Sequence, residues 1–323
     1  MKVLGLGGSN HDYSACIVEN GSVIAMIEDE RITRKKHGKG LHVSISQGFS
    51  RKYVFDQTGY SLTDMDIIAS NDLVNPSFLF RLDGVVSLNH HLTHAASAYY
   101  CSPFQEAAIL TVDSVGSRSA TDKGIEYESC ATWVGNGTTI ERISHNTGVN
   151  LEGTDYIENS LGIFYSLITN IIGFGELEEG KTMGLAPYGT DRMYKELQRY
   201  IHYAGNGKIQ MTADSIKALL AHKDSIQSIP EESKRFQVRA DYAWAGQKIT
   251  EDILLQLCED LYERTKCPNL CLAGGVALNS VANYKIYKSG LFCHVFIQPA
   301  AGDNGTSIGA ALYCYHNRPS ITG

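Results

Sequence analysis

Apolar residues along this chain occur in short runs interrupted by glycine turns, and one order of elements occurs twice. The chain opens with the apolar run VLGLGG. The stretch SACIVENGSVIAMIEDE follows as a predicted hairpin, because Asn20-Gly21 is a strong signal for a tight turn between strands. Near the middle, AAILTVDSVG precedes ESCATWVGNGTTIERISHN, a second predicted hairpin around residues 135–137. The repeat predicts a duplicated α/β domain with a cleft between two lobes; two unrelated hairpins are the alternative.

The last third of the chain changes to a helical period. The segment GQKITEDILLQLCEDLYERTKC has apolar residues at helical spacing and predicts an amphipathic helix. NLCLAGGVALNSVANYKIYKSG and HVFIQPAAGDNGTSIGAALYCYH each predict a strand, a glycine turn and a helix. This alternation is typical of parallel α/β units, which bind ligands beyond the carboxyl ends of their strands. Residues 205–245 are polar and irregular, and they predict a helical insertion or a flexible connector.

Composition narrows the class of protein. The net charge of −7 and the lack of a basic tract argue against electrostatic capture of nucleic acid as the main task. No run approaches the roughly 20 apolar residues of a membrane-spanning helix, and the N-terminal run does not resemble a signal peptide. The eight cysteines form no CxxC pair. We therefore expect a cytoplasmic, reduced protein without a membrane partner.

The first candidate for chemistry is the segment SLNHHLTHAASAYY. His90 and His94 are four residues apart, so on a helix both imidazoles lie on one face and could share a metal ion. His91 and His94, three apart, could do the same. A helix that merely contains histidines is an equally acceptable interpretation of the spacing.

Two aspartates end predicted strands. Asp113, in LTVDSVG, is either a turn former or a metal or phosphate ligand. Asp303, in AAGDNGTS, either caps the following helix, as could Asn304, or holds a ligand at the helix start. Two histidines with two aspartates would make a mixed nitrogen and oxygen site, which suits iron(II), manganese or zinc better than magnesium.

Glycines and basic residues offer weaker candidates. Gly274 and Gly275 allow backbone to lie against a nucleotide, with Asn279 opening the next helix, although close helix–strand packing also requires glycine. His11 stands in the first glycine turn and could take a proton from a hydroxyl. A basic loop could hold a phosphate or could simply be solvated surface; it contains Lys35, Lys36, His37 and Lys39. The sequence has no GxSxG, HExxH or P-loop motif.

Several motifs in this order resemble those of the NodU/CmcH-type O-carbamoyltransferases. They are NHDYSA, EDERITRKKHG, HHLTHAASAYY, LTVDSVG, LEEGKTMGLAPYG, LAGGVALNSVAN and PAAGDNGTSIGAAL, and they span almost the whole chain. The resemblance implies an actin-like ATPase (ASKHA) fold, with two RNase H-like lobes around a nucleotide- and metal-binding cleft. We expect residues 1–105 to form the first lobe with the histidine-pair helix. Residues 106–323 would form the second lobe, with the helical insertion around 205–245.

The resemblance also implies a reaction and its residues. Carbamoyl-adenylate, made from carbamoyl phosphate and ATP, would pass its carbamoyl group to a hydroxyl and release AMP. The implied ligands of an iron(II) ion, or another divalent transition metal, are His90, His94, Asp113 and Asp303. His11 matches an active-site histidine beside the acceptor, and Lys36 matches a cleft lysine near the adenylate. Lys181, in EGKTMG, is grouped with Gly274, Gly275 and Asn279 as cofactor-binding, without a specified role.

The resemblance implies partners as well. Family members usually continue into a YrdC-like domain that makes the adenylate, whereas this chain stops at CYHNRPSITG. We expect that domain either to have been truncated or to be a separate subunit. The acceptor is expected to be a small molecule with a hydroxyl, such as a sugar or an antibiotic, and a homodimer is left open.

Three other functions remain as alternatives. A threonylcarbamoyl transferase for tRNA shares the fold and a histidine pair, and carbamoylation of a nucleic-acid hydroxyl belongs to the same class. A sugar kinase or ATPase of this fold would use magnesium and carboxylates, with no need for the histidine pair. A binding or regulatory protein without turnover is the third.

Overall fold

The computed structural model describes residues 1–122 and 124–318. In these residues the strands form two large sheets and one small hairpin. The strands are β1 Lys2–Gly7, β2 Ser14–Glu19, β3 Ser22–Glu28, β4 Ile67–Asn71, β5 Val85–Leu88, β6 Glu106–Val112, β7 Arg118–Thr121, β8 Gly124–Asn136, β9 Thr139–Val149, β10 His202–Gly205, β11 Lys208–Gln210, β12 Asn269–Ala273 and β13 His294–Ile297. The last residues assigned to the second lobe, 319–323, lie outside the described residues.

The helices of the described residues fall mainly after the strands that they cover. They are α1 Asp29–Thr33, α2 Phe49–Thr58, α3 His90–Cys101, α4 Leu161–Ile171, α5 Glu179–Leu185, α6 Tyr194–Leu197, α7 Ala213–Gln227, α8 Glu232–Thr265, α9 Ser280–Ser289 and α10 Thr306–Asn317. None of the helices in this part of the chain combines the length and apolarity needed to cross a bilayer.

The two large sheets have the same topology. The first has the order β3-β2-β1-β4-β5, and the second contains β9-β8-β6-β12-β13, with β7 paired to the beginning of β8. In each sheet the first three strands of this order pair with one another antiparallel. The last two strands pair parallel to each other and to the third strand. Both predicted hairpins are present, and Asn20 and Gly21 take the positive φ angles of a tight turn. The predicted duplicated α/β fold is confirmed.

Helices α3 and α10 lie between the sheets and bring them together. Helix α10 packs on the first sheet, and α3 packs on the second, while α2 and α4 cover the outer faces. The helices touch closely, because a Cβ on Gly309 would lie 1.7 Å from the carbonyl oxygen of Thr93. The predicted division at residue 105 stays a prediction. The strands of the first sheet lie within residues 2–88 and those of the second within 106–297, while α10 packs on the first sheet.

The irregular segment 205–245 is largely helical. It contains β11, α7 and the first part of α8, which begins at Glu232, well before the predicted start at Gly246. The early part of α8 is mostly exposed, and its apolar period is weak there, whereas residues 240–261 are largely buried. The exposed beginning explains why the hydrophobic pattern shows only the second half of this helix.

Candidate functional site

Helix α3 places the two predicted histidine ligands on one buried face. Its first turn is fixed from two sides. The Asn89 side chain accepts a hydrogen bond from the Leu92 amide at 2.9 Å, and the His90 amide donates to Ser117 Oγ at 2.7 Å. The Nε2 atoms of His90 and His94 lie 3.1 Å apart, and both side chains are fully buried.

The two aspartates reach the same point from different elements, one after β6 and the other just before α10. Asp113 follows β6, the first strand of the second sheet, and its Oδ1 accepts a hydrogen bond from the Ser114 amide at 2.7 Å. Asp303 opens a short turn before α10, and its carbonyl oxygen accepts from the Gly8 amide at 3.1 Å. The capping interpretation of Asp303 is wrong: among the described residues no side chain caps α10, so this carboxylate is free to face the histidines.

The four side chains converge on one point. Asp113 Oδ2 lies 3.0 Å from His94 Nε2 and 3.6 Å from His90 Nε2. Asp303 Oδ1 lies 3.5 and 3.6 Å from the same two nitrogens. Ligands bound at about 2.1 Å and separated by tetrahedral or octahedral angles stand about 3.0–3.4 Å apart. Two of the five spacings lie in this range and the other three exceed it by at most about 0.2 Å, so small shifts would bring the four ligand atoms around one transition-metal ion.

The electrostatics of this cluster also favour a cation. Burial disfavours the charged form of His90, but the nearby Asp303 and Asp113 carboxylates raise its pKa to about 10. Burial alone would raise the pKa of both aspartates, yet the two histidines hold them well below the ordinary value. Two buried carboxylates thus require compensating positive charge, which is supplied by either a proton on His90 or a bound metal.

His91 does not join the cluster. Its Nδ1 lies 3.1 Å from Thr111 Oγ1 on β6, and burial together with the charge of His90 lowers its pKa to about 3. A Cβ on Gly116 would lie 2.4 Å from the His91 ring, so this ring fills a tight slot against the second sheet. The alternative pair of His91 and His94 is therefore not formed.

The first glycine turn contributes His11 and Asp12, and the basic loop contributes His37; the sequence did not single out Asp12 or His37 for this role. His11 Nδ1 lies 3.0 Å from Asp12 Oδ2, and His37 Nδ1 lies 2.8 Å from Asp12 Oδ1. Burial lowers the pKa of His11, but the Asp12 hydrogen bond and the Asp303 charge raise it to about 9. The adjacency of a carboxylate and a histidine in NHD was the available signal for Asp12. Nothing in the sequence paired it with His37.

The basic loop lies near residues 176–181, which contain the EEGK segment. Lys39 Nζ lies 3.0 Å from Glu176 Oε2, which joins the two lobes by an exposed ion pair. Lys36 and Lys181 are both exposed, and the charges of both act on Glu178; Lys181 Nζ lies 2.5 Å from Glu178 Oε1. The two lysines predicted for the nucleotide region therefore lie on facing segments, and their contacts with a nucleotide stay predictions.

The second glycine turn lies against the predicted metal ligands. A Cβ on Gly275 would come within 2.9 Å of Asp113 Oδ1, and Gly274 has a φ of +95° beside the carbonyl of Val112. Asn279 caps α9 through Ala282 and exchanges hydrogen bonds with Gln247, so its buried amide is engaged within the protein. This close approach explains why glycine occupies positions 274 and 275. Cofactor binding by Gly274, Gly275 and Asn279 stays a prediction.

Comparison with known proteins gives one consistent result. Residues 77–312 match the family model described as Carbamoyltransferase N-terminus. The chain is 30% identical to Nodulation protein NolNO of Sinorhizobium fredii over 94% of this chain and 46% of that protein. It is 22% identical to a tRNA N6-adenosine threonylcarbamoyltransferase of Francisella tularensis, over 98% of this chain and 95% of that protein.

The solved structures agree on the fold. HypF in its phosphate- and nucleotide-bound form superposes with a TM-score of 0.61 at 13% identity, over 97% of this chain and 55% of that one. The fold is therefore of the actin-like ATPase type, as expected. The chain spans about half the length of the longer curated relatives it matches.

Proposed function

The chain belongs to the carbamoyltransferase family, and on that premise we propose that it transfers a carbamoyl group from carbamoyl-adenylate to a hydroxyl of an acceptor, releasing AMP. The observation that carries the proposal is the buried cluster of two histidines and two carboxylates, with His11 beside its negative charge. A kinase of this fold that relied on magnesium and carboxylates would have no use for the histidine pair.

The proposed metal ligands are the four convergent side chains His90, His94, Asp113 and Asp303. Their mixed nitrogen and oxygen donors favour iron(II) or another divalent transition metal. Such an ion would supply Lewis-acid polarisation of a substrate oxygen and would offset the two carboxylate charges. The Nδ1 atoms of His90 and His94 are buried and have no hydrogen-bond partner in the described part of the chain, so only packing and the contacts of the Nε2 atoms orient these rings.

His11 is the proposed general base. Its Nδ1 is engaged by Asp12, which leaves Nε2 to accept the proton of the acceptor hydroxyl. The hydroxyl oxygen then bonds to the carbamoyl carbon, the bond from that carbon to the phosphate oxygen breaks, and AMP leaves with the electron pair. Offsetting the Asp303 and Asp113 charges removes two of the causes that raise the pKa of His11 to about 9, so a larger fraction of His11 then has an unprotonated Nε2 that can act as a base.

Binding of the adenylate is assigned to the cleft between the facing segments. Lys36 and Lys181 would attract the phosphate by their charge, and the Gly274-Gly275 turn would let backbone approach the nucleotide, with Asn279 fixing the helix behind. A YrdC-like domain or subunit is the proposed source of the adenylate. The proposed acceptor is a small molecule, the proposed location is the cytoplasm, and a homodimer is left open.

The test supplies synthetic carbamoyl-adenylate and an acceptor panel to the purified, metal-loaded protein. We expect the wild type to produce AMP and a carbamoylated product, and His11→Ala to lose at least about 100-fold in rate, because general-base catalysis contributes that much. His202→Ala, a change at an exposed histidine on β10, is the matched control. Transfer by His11→Ala at the wild-type rate would remove this residue from the mechanism.

A second candidate function is threonylcarbamoyl transfer to tRNA. It is favoured by the Francisella tularensis relative, which aligns over 95% of its length. The net charge of −7 opposes it, because phosphate contacts require basic surface. Filter binding of tRNA at physiological salt separates the two functions: retention of tRNA would support this candidate, and no retention would support a small acceptor.

A further inference from the structure

In the first glycine turn, the carboxylate of Asp12 contacts two histidines, His11 and His37. We propose that Asp12 is a positioning residue that fixes the tautomers of both rings, with His37 holding Asp12 in place, so that Nε2 of His11 is presented to the acceptor hydroxyl. The role of this arrangement in catalysis rests on the proposed function; the arrangement itself does not.

The distances identify two hydrogen bonds to one carboxylate. Asp12 Oδ2 lies 3.0 Å from His11 Nδ1, and Asp12 Oδ1 lies 2.8 Å from His37 Nδ1. An ionised carboxylate only accepts hydrogen bonds, so each Nδ1 must carry the proton. The second ring nitrogen of His11 is then the basic one, which is the orientation that a general base requires.

The backbone locks this arrangement. Asp12 and His37 both have positive φ angles, 55° and 58°, which non-glycine residues rarely adopt. The Asp12 amide donates to the His37 carbonyl at 3.0 Å, and the His37 amide donates to Glu30 Oε2 at 2.7 Å. Two distant loops are thus joined by main-chain and side-chain bonds, at positions where the backbone is held in an unfavourable conformation.

A metal site is the competing interpretation, because Asp12, Glu30 and His37 lie close together. The 2.8 Å between Asp12 Oδ1 and His37 Nδ1 is an ordinary hydrogen-bond distance. Glu30 already accepts from the His37 backbone. Hydrogen bonding accounts for each of these contacts. In support, burial would raise the pKa of Asp12, but the bonds from His11 and His37 lower it.

The first variant is Asp12→Asn. An amide offers one acceptor oxygen and one donor NH2, so it can accept from only one histidine and must present a donor to the other. We expect kcat for transfer to fall about 100-fold to 10,000-fold, with the KM for the acceptor little changed, because a wrong tautomer removes the base without removing binding contacts. Asp56→Asn, on the exposed side of α2, is the control.

The second pair of variants tests His37 without adding backbone strain. Asparagine and glycine both tolerate a positive φ, so His37→Asn and His37→Gly keep the loop conformation. The asparagine can still donate to Asp12, whereas the glycine cannot. We expect His37→Asn to stay within a few-fold of the wild type and His37→Gly to lose about 10-fold or more in kcat. Equal losses in the two would reduce His37 to a packing role.

The deciding measurement does not need turnover. Histidine 15N shifts of the wild-type protein report which ring nitrogen is protonated, and variants at positions 11 and 37 assign the signals. At a pH above the raised His11 pKa of about 9, we expect both rings as the Nδ1-protonated tautomer, and a change for at least one in Asp12→Asn. Unchanged tautomers with wild-type kcat in Asp12→Asn would overturn the inference. Correct tautomers without any carbamoyl transfer would instead refute only the proposed function.

Discussion

Replacing Asp113 with asparagine is the most informative change at the four-residue cluster. The side chain keeps its shape, but one of the two carboxylates that face the histidine nitrogens becomes a neutral amide. Asp113 Oδ2 stands 3.0 Å from His94 Nε2, at the spacing of two ligands on one ion. Loss of outer partners of a metal site already costs about 10-fold to 100-fold in affinity, so loss of this direct ligand should cost about 100-fold or more.

The effect on stability follows from linkage. A metal ion present at about 100 times its dissociation constant stabilises the folded state by about 2.7 kcal/mol, and a 100-fold weaker site leaves about 0.4 kcal/mol. With an unfolding entropy of about 2.1 cal/mol/K per residue over 323 residues, 1 kcal/mol shifts the Tm by about 1.5 °C, so the metal should raise the Tm of the wild type by roughly 4 °C. In Asp113→Asn the same metal concentration should raise it by less than about 1 °C.

The assay combines metal analysis with anaerobic thermal melts of the metal-free and iron(II)-loaded protein. Asp56→Asn, with an exposed carboxylate on α2, is the matched control and should respond to metal as the wild type does. The same Tm rise and the same metal content in Asp113→Asn would refute the coordination argument, because the carboxylate would then contribute no bond to the ion.

Three further predictions concern the same centre. His91→Gln should keep one metal per chain while His94→Gln loses it, since His91 bonds Thr111; metal analysis of both checks this. Gly275→Ala should weaken metal binding, because its Cβ would lie 2.9 Å from Asp113 Oδ1, whereas Gly184→Ala has open space and should not; calorimetric titration compares them. The raised pKa of His90, about 10, means that metal must displace a proton, so affinity should increase up to about tenfold per pH unit between about pH 6.5 and 8.5. Titrations that give one affinity at every pH would contradict this.

The repeated order of strand, turn and hairpin could be predicted from the sequence, because apolar runs and glycine turns are signals between residues close together in the chain. The start of α8 could not be predicted, because its first residues are not buried and show no regular spacing of apolar residues. The return of α10 to the first sheet depends on contacts between residues about 300 apart, such as Ser14 with Ser307, and no local pattern encodes it.

The four-residue cluster could be predicted in part for the same reason. The spacing of His90 and His94 determines that they share one helix face, the strand ends made both aspartates candidates, and the resemblance implied that all four are ligands. Spacing could not decide between His91 and His90, because the choice depends on how α3 packs on β6. The bond between Asp12 and His37 joins two loops 25 residues apart, and only the folded chain reveals it.

The most direct test of the account is turnover of synthetic carbamoyl-adenylate by the iron(II)-loaded protein, with mass spectrometry of an acceptor panel. We expect that a hydroxyl compound gains a carbamoyl group as AMP appears, and that His94→Gln loses both signals while His202→Ala keeps them. Equal AMP release and carbamoyl transfer by the wild type and His94→Gln would contradict it, because the chemistry would then not require the four-residue centre.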